Sequence, residues 1–141
     1  MPMRKLADIA FNRQPLTMPP SACVRDACVG MHETHTDSVL VVDQRGRLLG
    51  IFTDRDAVCR VIAAGRDATT TPLDEVMTAS PDTLTPDTSA IEALRLMWDG
   101  GYRHVPVVDC GHLLGVVSRA DFKAAERDRL EIERELWEHM R

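Results

Sequence analysis

Two stretches of this chain carry the same pattern of residues, one after the other. Residues 38–43 (SVLVVD) recur 66 positions later as residues 104–109 (HVPVVD). After the loss of one residue in the following turn, residues 48–56 (LLGIFTDRD) recur 65 positions later as residues 113–121 (LLGVVSRAD). Self-similarity at a period of this length indicates a chain built from copies of one supersecondary unit.

The repeat includes the segments that precede these stretches. Residues 15–20 correspond to residues 81–86, and the lead-in residues 8–11 (DIAF) correspond to residues 74–77 (DEVM), both at a shift of 66. The polar stretch 65–71 fits an exposed connection between the copies. The chain is therefore predicted to contain three parts: a first repeat with its N-terminal lead-in, 1–66, a second repeat, 67–125, and a C-terminal helical extension, 126–141.

Each repeat is predicted to run strand, helix, strand, strand, helix. In the second repeat Asp87 is positioned to cap a helix over about 88–99, and the first repeat has the matching helix over about 22–33. The two strands that follow are apolar almost throughout, which predicts that both of their faces are covered. Because one such unit would bury too little surface alone, we expect an α/β (α+β) fold in which two β-α-β-β-α repeats pack with pseudo-two-fold symmetry.

Four segments together resemble the signatures of the CBS-domain family: GIFTDRD at 50–56, VMT at 76–78, YRHVPVVD at 102–109 and GVVSRAD at 115–121. Their order and spacing resemble a tandem CBS-domain pair, or Bateman module, over about 6–125. The resemblance implies a stand-alone, non-catalytic regulator that binds an adenosine-containing nucleotide (AMP, ADP or ATP, or NAD or S-adenosylmethionine) in the inter-repeat cleft. It also implies a homodimer, head-to-head or head-to-tail, that signals to an effector protein.

In each repeat the second long strand ends in the same seven-residue motif. It begins with glycine and two apolar residues, continues with Thr or Ser, and ends with Asp three positions later. Thr53 or Ser118 would cap the following helix and face a ligand, and a phosphate would be attracted to that helix N-terminus. Asp56 or Asp121 returns to the same face, where its carboxylate can accept hydrogen bonds from a ribose diol. The same pattern is also an ordinary capping box, which stabilises any helix.

Basic residues near these motifs are candidates for binding phosphate, because arginine can hold phosphate oxygens with two parallel hydrogen bonds. Arg103 and His104 occupy the place where the family resemblance puts such residues, and Arg55 and Arg119 follow the hydroxyl residues of the motif. Arg55 fits a solvated surface position at the start of a helix better than a phosphate contact. The first repeat has Asp37 in the place of Arg103, which would repel phosphate, so we expect two unequal sites with the better one in the second repeat.

The adenine base is expected to touch the early-strand threonines and the apolar strand after the first helix of the second repeat, although ordinary core roles explain these residues as well. The predicted nucleotide-binding residues are Thr17, Thr53, Arg55, Asp56, Thr83, Arg103, His104, Val105, Pro106, Ser118, Arg119 and Asp121.

The composition excludes several classes of function. A net charge of −5 argues against a nucleic-acid-binding protein, which needs a basic face. No apolar run approaches the length of about 20 residues that a membrane span needs, and none resembles a signal peptide, so a cytoplasmic location is expected. The four cysteines form no CxxC pair, which favours reduced thiols over a zinc or redox motif.

Two further patterns leave alternatives open. Residues 32–35 (HETH) resemble a zinc-protease box, but the histidines are three rather than four positions apart, so no metal is expected and a hydrolase is the weakest hypothesis. Residues 119–141 lack proline and glycine and carry a partial apolar stripe. This helix either docks on its own domain or forms a dimer or effector contact, and in the latter case the chain could act as a ligand-independent dimerisation scaffold. The stripe comprises Phe122, Ala125, Ile132, Leu136 and Met140, with Leu130 and Trp137 beside it.

Overall fold

The computed structural model describes residues 4–9 and 15–140. The elements follow in chain order: α1 (Leu6–Ile9), β1 (Thr17–Met18), α2 (Val24–Thr34), β2 (Ser38–Val42), β3 (Leu48–Thr53), α3 (Asp54–Asp56), a π-helix (Ala57–Ile62), a 3-10 helix (Leu73–Glu75), β4 (Thr78–Ala79), α4 (Ala90–Gly100), β5 (His104–Asp109), β6 (His112–Ser118), a 3-10 helix (Arg119–Asp121) and α5 (Ala124–His139). These elements form two units. The first-repeat unit consists of residues 15–82 and 110–113, and the second-repeat unit consists of residues 4–9, 83–109 and 114–140.

The first-repeat unit contains a four-stranded sheet in the order β1-β2-β3-β4. β1 runs parallel to β2, with Thr17 opposite Leu40, and β3 runs antiparallel to β2, with Thr53 opposite Ser38. β2 is buried over four of its five residues, as expected for a strand covered on both faces. Thr53 therefore ends β3 at the point where β2 begins.

β5 and β6 form a two-stranded sheet joined by a tight turn. Cys110 and Gly111 in this turn have positive φ values of 51° and 80°, the conformation of a two-residue type I′ hairpin. Leu84 pairs with Val107 as a parallel bridge, which reproduces the pairing of β1 with β2 at a shift of 66 residues. The predicted strand order of the second repeat is thus present.

The first helices of the two repeats correspond residue for residue. α2 and α4 each have 11 residues and lie 66 positions apart, and each is followed by a residue in the left-handed conformation, His35 or Gly101. The prediction that Asp87 caps the helix of the second repeat is wrong. Ser89 caps α4, and its hydroxyl accepts a hydrogen bond from the N–H of Glu92 at 3.2 Å. Both residue types cap helices well, and the Ser-x-x-Glu spacing selects Ser89.

The closing segments of the two repeats differ. After Thr53 the chain forms α3 and then the π-helix, whereas after Ser118 it forms only one 3-10 turn. Phe122 then adopts an extended conformation (φ −93°, ψ 143°) and is buried, before α5 begins. The helix predicted to start at Arg119 is therefore interrupted, and α5 runs continuously past residue 126, where the C-terminal extension was predicted to start.

The lead-in segment that precedes each repeat in the sequence is bonded to the start of the first helix of the other repeat. In the second-repeat unit the N–H of Leu6 donates to the carbonyl oxygen of Thr88 at 2.9 Å. In the first-repeat unit the N–H of Leu73 donates to the carbonyl oxygen of Ala22, also at 2.9 Å. The N-terminal lead-in, which is continuous in sequence with the first repeat, is thus part of the unit that holds the second repeat.

These matching hydrogen bonds change the alignment of the lead-in segments. They equate Leu6 with Leu73, two fully buried residues that are 67 positions apart. The predicted correspondence of 8–11 with 74–77 is therefore wrong by one residue, and its residues 10 and 11 lie outside the described part of the chain. The chance match of Asp8 with Asp74 favoured the shift of 66 in the sequence, but buried leucines determine the packing.

Each unit has its own core, which is largely aliphatic as the scarcity of aromatic residues suggests. Burying such a side chain contributes roughly 1.5–3 kcal/mol. The second-repeat core contains Leu6, Ala90, Ala93, Leu94, Met97, Val105, Val107, Val117, Phe122 and Leu130. The first-repeat core contains Val24, Ala27, Met31, Val39, Val41, Phe52, Ala57, Val61, Leu73 and Val76.

An ion pair joins the lead-in to the start of α5 and gives the stability a pH dependence. Arg4 donates to both carboxylate oxygens of Glu126, at 2.6 and 3.2 Å, and the Lys123 N–H donates at 2.8 Å. Burial alone would raise the pKa of Glu126, but the hydrogen bonds from Arg4 and from the Lys123 N–H outweigh it and hold the pKa below its ordinary value of 4.5. A carboxylate whose pKa is lowered by folding stabilises the folded state at pH values above its ordinary pKa. This stabilisation is lost as the pH falls through the lowered pKa.

Replacing Glu126 with glutamine is therefore expected to lower the melting temperature at pH 7, and this effect is expected to shrink as the pH falls below 4.5 and through the lowered pKa of Glu126. Thermal denaturation of the wild type and the variant across this range measures the difference. Glu131→Gln is the matched control, since Glu131 lies exposed on the same helix. A Glu126→Gln effect that is constant with pH would contradict the role of the ionised pair.

Candidate functional site

The predicted motif of the second repeat forms a compact hydrogen-bonded pair at the end of β6. The Ser118 N–H donates to Oδ2 of Asp121 at 2.7 Å, and the Ser118 hydroxyl donates to the same oxygen at 3.3 Å. The other carboxylate oxygen of Asp121, Oδ1, makes no hydrogen bond or ion pair with the residues that the structure describes. The carboxylate is therefore held in one orientation and keeps one oxygen able to accept a further hydrogen bond.

The same motif in the first repeat uses both carboxylate oxygens. The Thr53 N–H donates to Oδ2 of Asp56 at 3.0 Å, and the Asp56 N–H donates to the Thr53 hydroxyl at 3.3 Å. Oδ1 of Asp56 lies 3.6 Å from Nε of Arg60. Ala125 is at the sequence position that matches Arg60, at the shift of 65, so no arginine follows Asp121 by four residues. Arg4 donates to the Asp121 carbonyl oxygen at 3.4 Å, and its charge interacts with that of Asp121.

The residue beside each motif differs in charge between the repeats. The Asp37 carbonyl oxygen accepts a hydrogen bond from the Asp54 N–H at 3.1 Å. The Arg103 carbonyl oxygen accepts the equivalent bond from the Arg119 N–H at 3.2 Å. Asp37 and Arg103 therefore occupy matching backbone positions, each bonded to the residue that follows Thr53 or Ser118. The side chain at this position is acidic in the first repeat and is an exposed arginine in the second.

Arg119 makes contacts that explain its position without a ligand. Its guanidinium donates to the carbonyl oxygens of Tyr102 (2.9 Å) and Met97 (3.0 Å), at the C-terminal end of α4. It also lies over the Trp98 ring, 5.3 Å from the centroid, and Arg134 lies at the same distance from that ring. A cation at this place satisfies helix carbonyl groups and interacts favourably with the helix dipole.

The other predicted residues of the second repeat lie along β5. His104 begins β5 and is half-buried, and Val105 and Pro106 are buried in the strand. The N–H of Leu84 donates to the Pro106 carbonyl oxygen at 3.0 Å, which places the exposed Thr83 next to the edge of β5. Arg103 and His104 thus lie where β5 begins, and Ser118 and Asp121 lie where β6 ends. The backbone hydrogen bond from Arg119 to Arg103 joins these two strand ends, and a common role in ligand binding stays a prediction.

Two predicted residues of the first repeat lie at exposed positions. Thr17 in β1 lines a groove of about 390 Å³ together with Pro19 and Val42. Arg55 is exposed in α3. Arg60 was missed by the sequence reasoning, although its position four residues after Asp56 on a helix indicates an ion pair.

The histidines of the HETH segment are not arranged as in a zinc-protease box. His32 lies in the last turn of α2, and His35 follows the helix with a left-handed backbone (φ 54°). Within residues 4–9 and 15–140, no three His, Cys, Asp or Glu side chains are grouped as a metal site requires. None of the helices in this described part is both long and apolar enough to cross a membrane.

Comparison with known proteins identifies the class of these repeats. A model of the CBS domain matches residues 6–62 and 73–128. A CBS domain-containing protein of Arabidopsis thaliana, CBSCBSPB5, is 39% identical over 105 residues, which are 74% of this chain and 19% of that protein. The CBS domain-containing protein YhcV of Bacillus subtilis is 35% identical over 108 residues, covering 77% of this chain and 76% of YhcV.

Solved structures agree with this class. A CBS domain protein from Pyrobaculum aerophilum, complexed with AMP, has a TM-score of 0.80 at 22% identity and covers 91% of this chain and 98% of its own. The chain therefore belongs to the CBS-domain family and consists of two CBS repeats in a mixed α/β fold, which confirms the family predicted from the motifs. It spans about a fifth of the length of the Arabidopsis relative.

Proposed function

We propose that this chain is a regulatory, non-catalytic module that binds an adenine nucleotide at the second repeat. The difference between the two motifs carries the proposal. Asp121 keeps one oxygen free of hydrogen bonds to described residues, and the exposed Arg103 directly precedes β5 in the same repeat. In the first repeat Asp56 is already paired with Arg60, and Asp37 stands at the position that matches Arg103, so an acidic residue replaces the cation proposed to hold phosphate.

The chemistry of the second site matches the parts of an adenylate. Oδ1 of Asp121 can accept a hydrogen bond from a ribose hydroxyl, and such a bond to a charged acceptor is stronger than a neutral one. The Arg103 guanidinium can hold phosphate oxygens in a two-point contact, with His104 next to it. Thr83 and the apolar residues Val105 and Pro106 are proposed to contact the base. Arg119 is proposed to support the site through α4 rather than to bind phosphate.

The ligand class draws further support from a structural neighbour. The Pyrobaculum aerophilum protein of the same fold was complexed with AMP. We therefore place AMP, ADP and ATP first, with NAD and S-adenosylmethionine as alternatives that share the adenosyl group. A cytoplasmic location is proposed as well, since cysteines in the reduced state, as in this structure, are usual there. Homodimer formation and signalling to an effector protein stay predictions.

A ligand screen by thermal denaturation tests this function. AMP, ADP, ATP, NAD, S-adenosylmethionine and adenosine are compared at millimolar concentration, with GMP as the base control. A ligand at about 100 times its Kd stabilises the folded state by about 2.7 kcal/mol, so at least one adenine nucleotide is expected to raise the melting temperature by several degrees. If no adenosyl compound changes the melting temperature, the proposed function is wrong.

The charge difference between the repeats supplies the matched variants for this screen. Arg103→Asp introduces the residue that the first repeat has at this position, Asp37. In this variant AMP is expected to raise the melting temperature no more than adenosine does, so the advantage of AMP is lost. Arg55→Asp changes the net charge equally at the exposed position in α3 and is expected to leave that advantage intact. Equal effects of the two substitutions would indicate that only the overall charge of the protein matters.

A further inference from the structure

One face of α5 exposes large apolar side chains. Ile132, Leu136 and Met140 are 58%, 57% and 80% exposed, and their spacing of four residues places them in one row. The opposite face of α5 packs on its own unit through the buried Leu130 and through Glu133, which accepts a hydrogen bond from Arg95 of α4 at 2.6 Å. The exposed row is therefore not needed to hold α5 in place.

An acidic row lies along one side of this apolar row. Its members are all exposed, and none of them makes an ion pair or a hydrogen bond with the residues that the structure describes: Asp128, Glu131, Glu135 and Glu138. We call the two rows together the α5 docking face. Exposed apolar residues in a contiguous row, with charged residues along its edge, are typical of a protein–protein interaction site.

The basic residues of α5 make contacts within their own unit. Arg127 donates to the carbonyl oxygen of Phe122 at 2.9 Å, and Arg129 lies 3.7 Å from Glu133. Arg134 lies 3.7 Å from Asp99. The acidic row therefore faces solvent without a cation from its own helix, and a partner that approaches this face meets negative charge.

The charge pattern selects among the possible occupants. In an antiparallel pair of two copies, the same side of each helix faces the partner, so the acidic rows would repel each other. In a parallel pair the acidic row would face the other side of the helix, where Arg129 is already paired with Glu133. An anionic membrane surface is repelled as well. A helix with an apolar row next to a row of lysine or arginine complements both rows.

We propose that the α5 docking face binds a basic amphipathic helix of a partner protein. The apolar row of the partner helix packs on Ile132, Leu136 and Met140, and its cations pair with the acidic row. This surface is the output contact of the regulatory module. The proposal does not depend on nucleotide binding, because the residues of the face lie on α5 or, for Met140, directly after it, and outside the Ser118–Asp121 motif.

Binding of a synthetic helix by the full chain tests the proposal. The probe is a fluorescein-labelled amphipathic peptide of about 18 residues with leucine on one face and lysine beside it. One control peptide carries glutamate in place of each lysine, and another has the same composition with its leucines scattered around the helix. Fluorescence anisotropy at about 0.15 M salt is expected to show the basic amphipathic peptide binding about tenfold tighter than either control.

Charge-reversed variants localise the binding. Glu131→Lys combined with Glu135→Lys is expected to weaken binding of the basic peptide about tenfold and to create binding of the acidic peptide. Asp26→Lys combined with Glu33→Lys, on the exposed side of α2, changes the net charge equally and is expected to keep the basic peptide bound. Circular dichroism confirms that each variant is folded.

Three results would overturn the proposal. Equal binding of the amphipathic and the scattered peptides, or equal losses in the two charge-reversed variants, would mean that the peptide is held by non-specific charge attraction. A self-association in analytical ultracentrifugation that disappears in Leu136→Glu would assign the face to a second copy of the chain instead. None of these results bears on the nucleotide screen, so failure of this proposal is distinguishable from failure of the proposed function.

Discussion

Replacing Asp121 with alanine is expected to weaken adenine nucleotide binding by about ten- to a hundredfold. The substitution removes the carboxylate oxygen that is open to a ribose hydroxyl, and a hydrogen bond to a charged group contributes about 1.5–3 kcal/mol. Isothermal titration calorimetry with the nucleotide that gives the largest thermal shift measures the change. Asp121→Asn keeps the size of the side chain and is expected to lose affinity as well, because an amide cannot offer two acceptor oxygens.

The equivalent substitution in the first repeat is the control for this effect. Asp56→Ala also removes a carboxylate that accepts a backbone hydrogen bond, so both variants are expected to lose a similar stability of about 1 kcal/mol. Only Asp121→Ala is expected to lose affinity, since Asp56 is paired with Arg60. Equal losses of affinity in the two variants would mean that both repeats bind the ligand, and no loss in Asp121→Ala would remove that carboxylate from the site.

Much of the fold could be predicted from the sequence because local signals and the repeat reinforce each other. The helices α2 and α4 and the strands that follow them lie at the predicted shifts, and the two-residue turn with Gly111 needs a positive φ that glycine adopts easily. Ser89 illustrates the limit of such signals. Asp87 and Ser89 are both good caps, and only the Glu92 three residues after Ser89 distinguishes them.

The exchange of lead-in segments could not be predicted in the same way. Leu6 and Leu73 show that each lead-in needs an apolar cover, but the partner is chosen by packing between parts of the chain far apart in sequence. A segment of four helical residues has too little periodicity to indicate its own register. Asp8 and Asp74 therefore misled the alignment, since exposed residues align by identity without sharing an environment.

The candidate site was predictable to the level of residue types. The first repeat has Asp37 at the position that matches Arg103 in the second, which indicated that the two sites are unequal. The structure adds a second difference, the pairing of Asp56 with Arg60. The contacts of Arg119 with α4 could not be deduced, because they join residues about 20 positions apart through backbone carbonyl groups.

The glycine of the first motif shows how a pattern acquires its physical meaning in the fold. The sequence indicates only that a neighbour approaches the backbone closely at this position. The neighbour is β4: Gly50 pairs with Ala79, and a Cβ atom on Gly50 would lie 2.8 Å from the carbonyl oxygen of Thr78 and would also collide with the Met77 side chain. Gly50 therefore keeps the lead-in of the second repeat attached to the sheet of the first-repeat unit.

Gly50→Ala is accordingly expected to destabilise the protein by about 2–3 kcal/mol, because the added methyl group meets a backbone atom that cannot move without breaking the pairing of β3 with β4. Urea denaturation measures the change. Gly46→Ala is the control: its turn position has open space but a φ of 79°, so backbone strain alone costs about 1 kcal/mol. Adding Met77→Ala to Gly50→Ala is expected to restore little stability, since the contact with the Thr78 carbonyl oxygen remains. If Gly50→Ala proves no more destabilising than Gly46→Ala, β4 does not approach β3 as closely as this pairing requires.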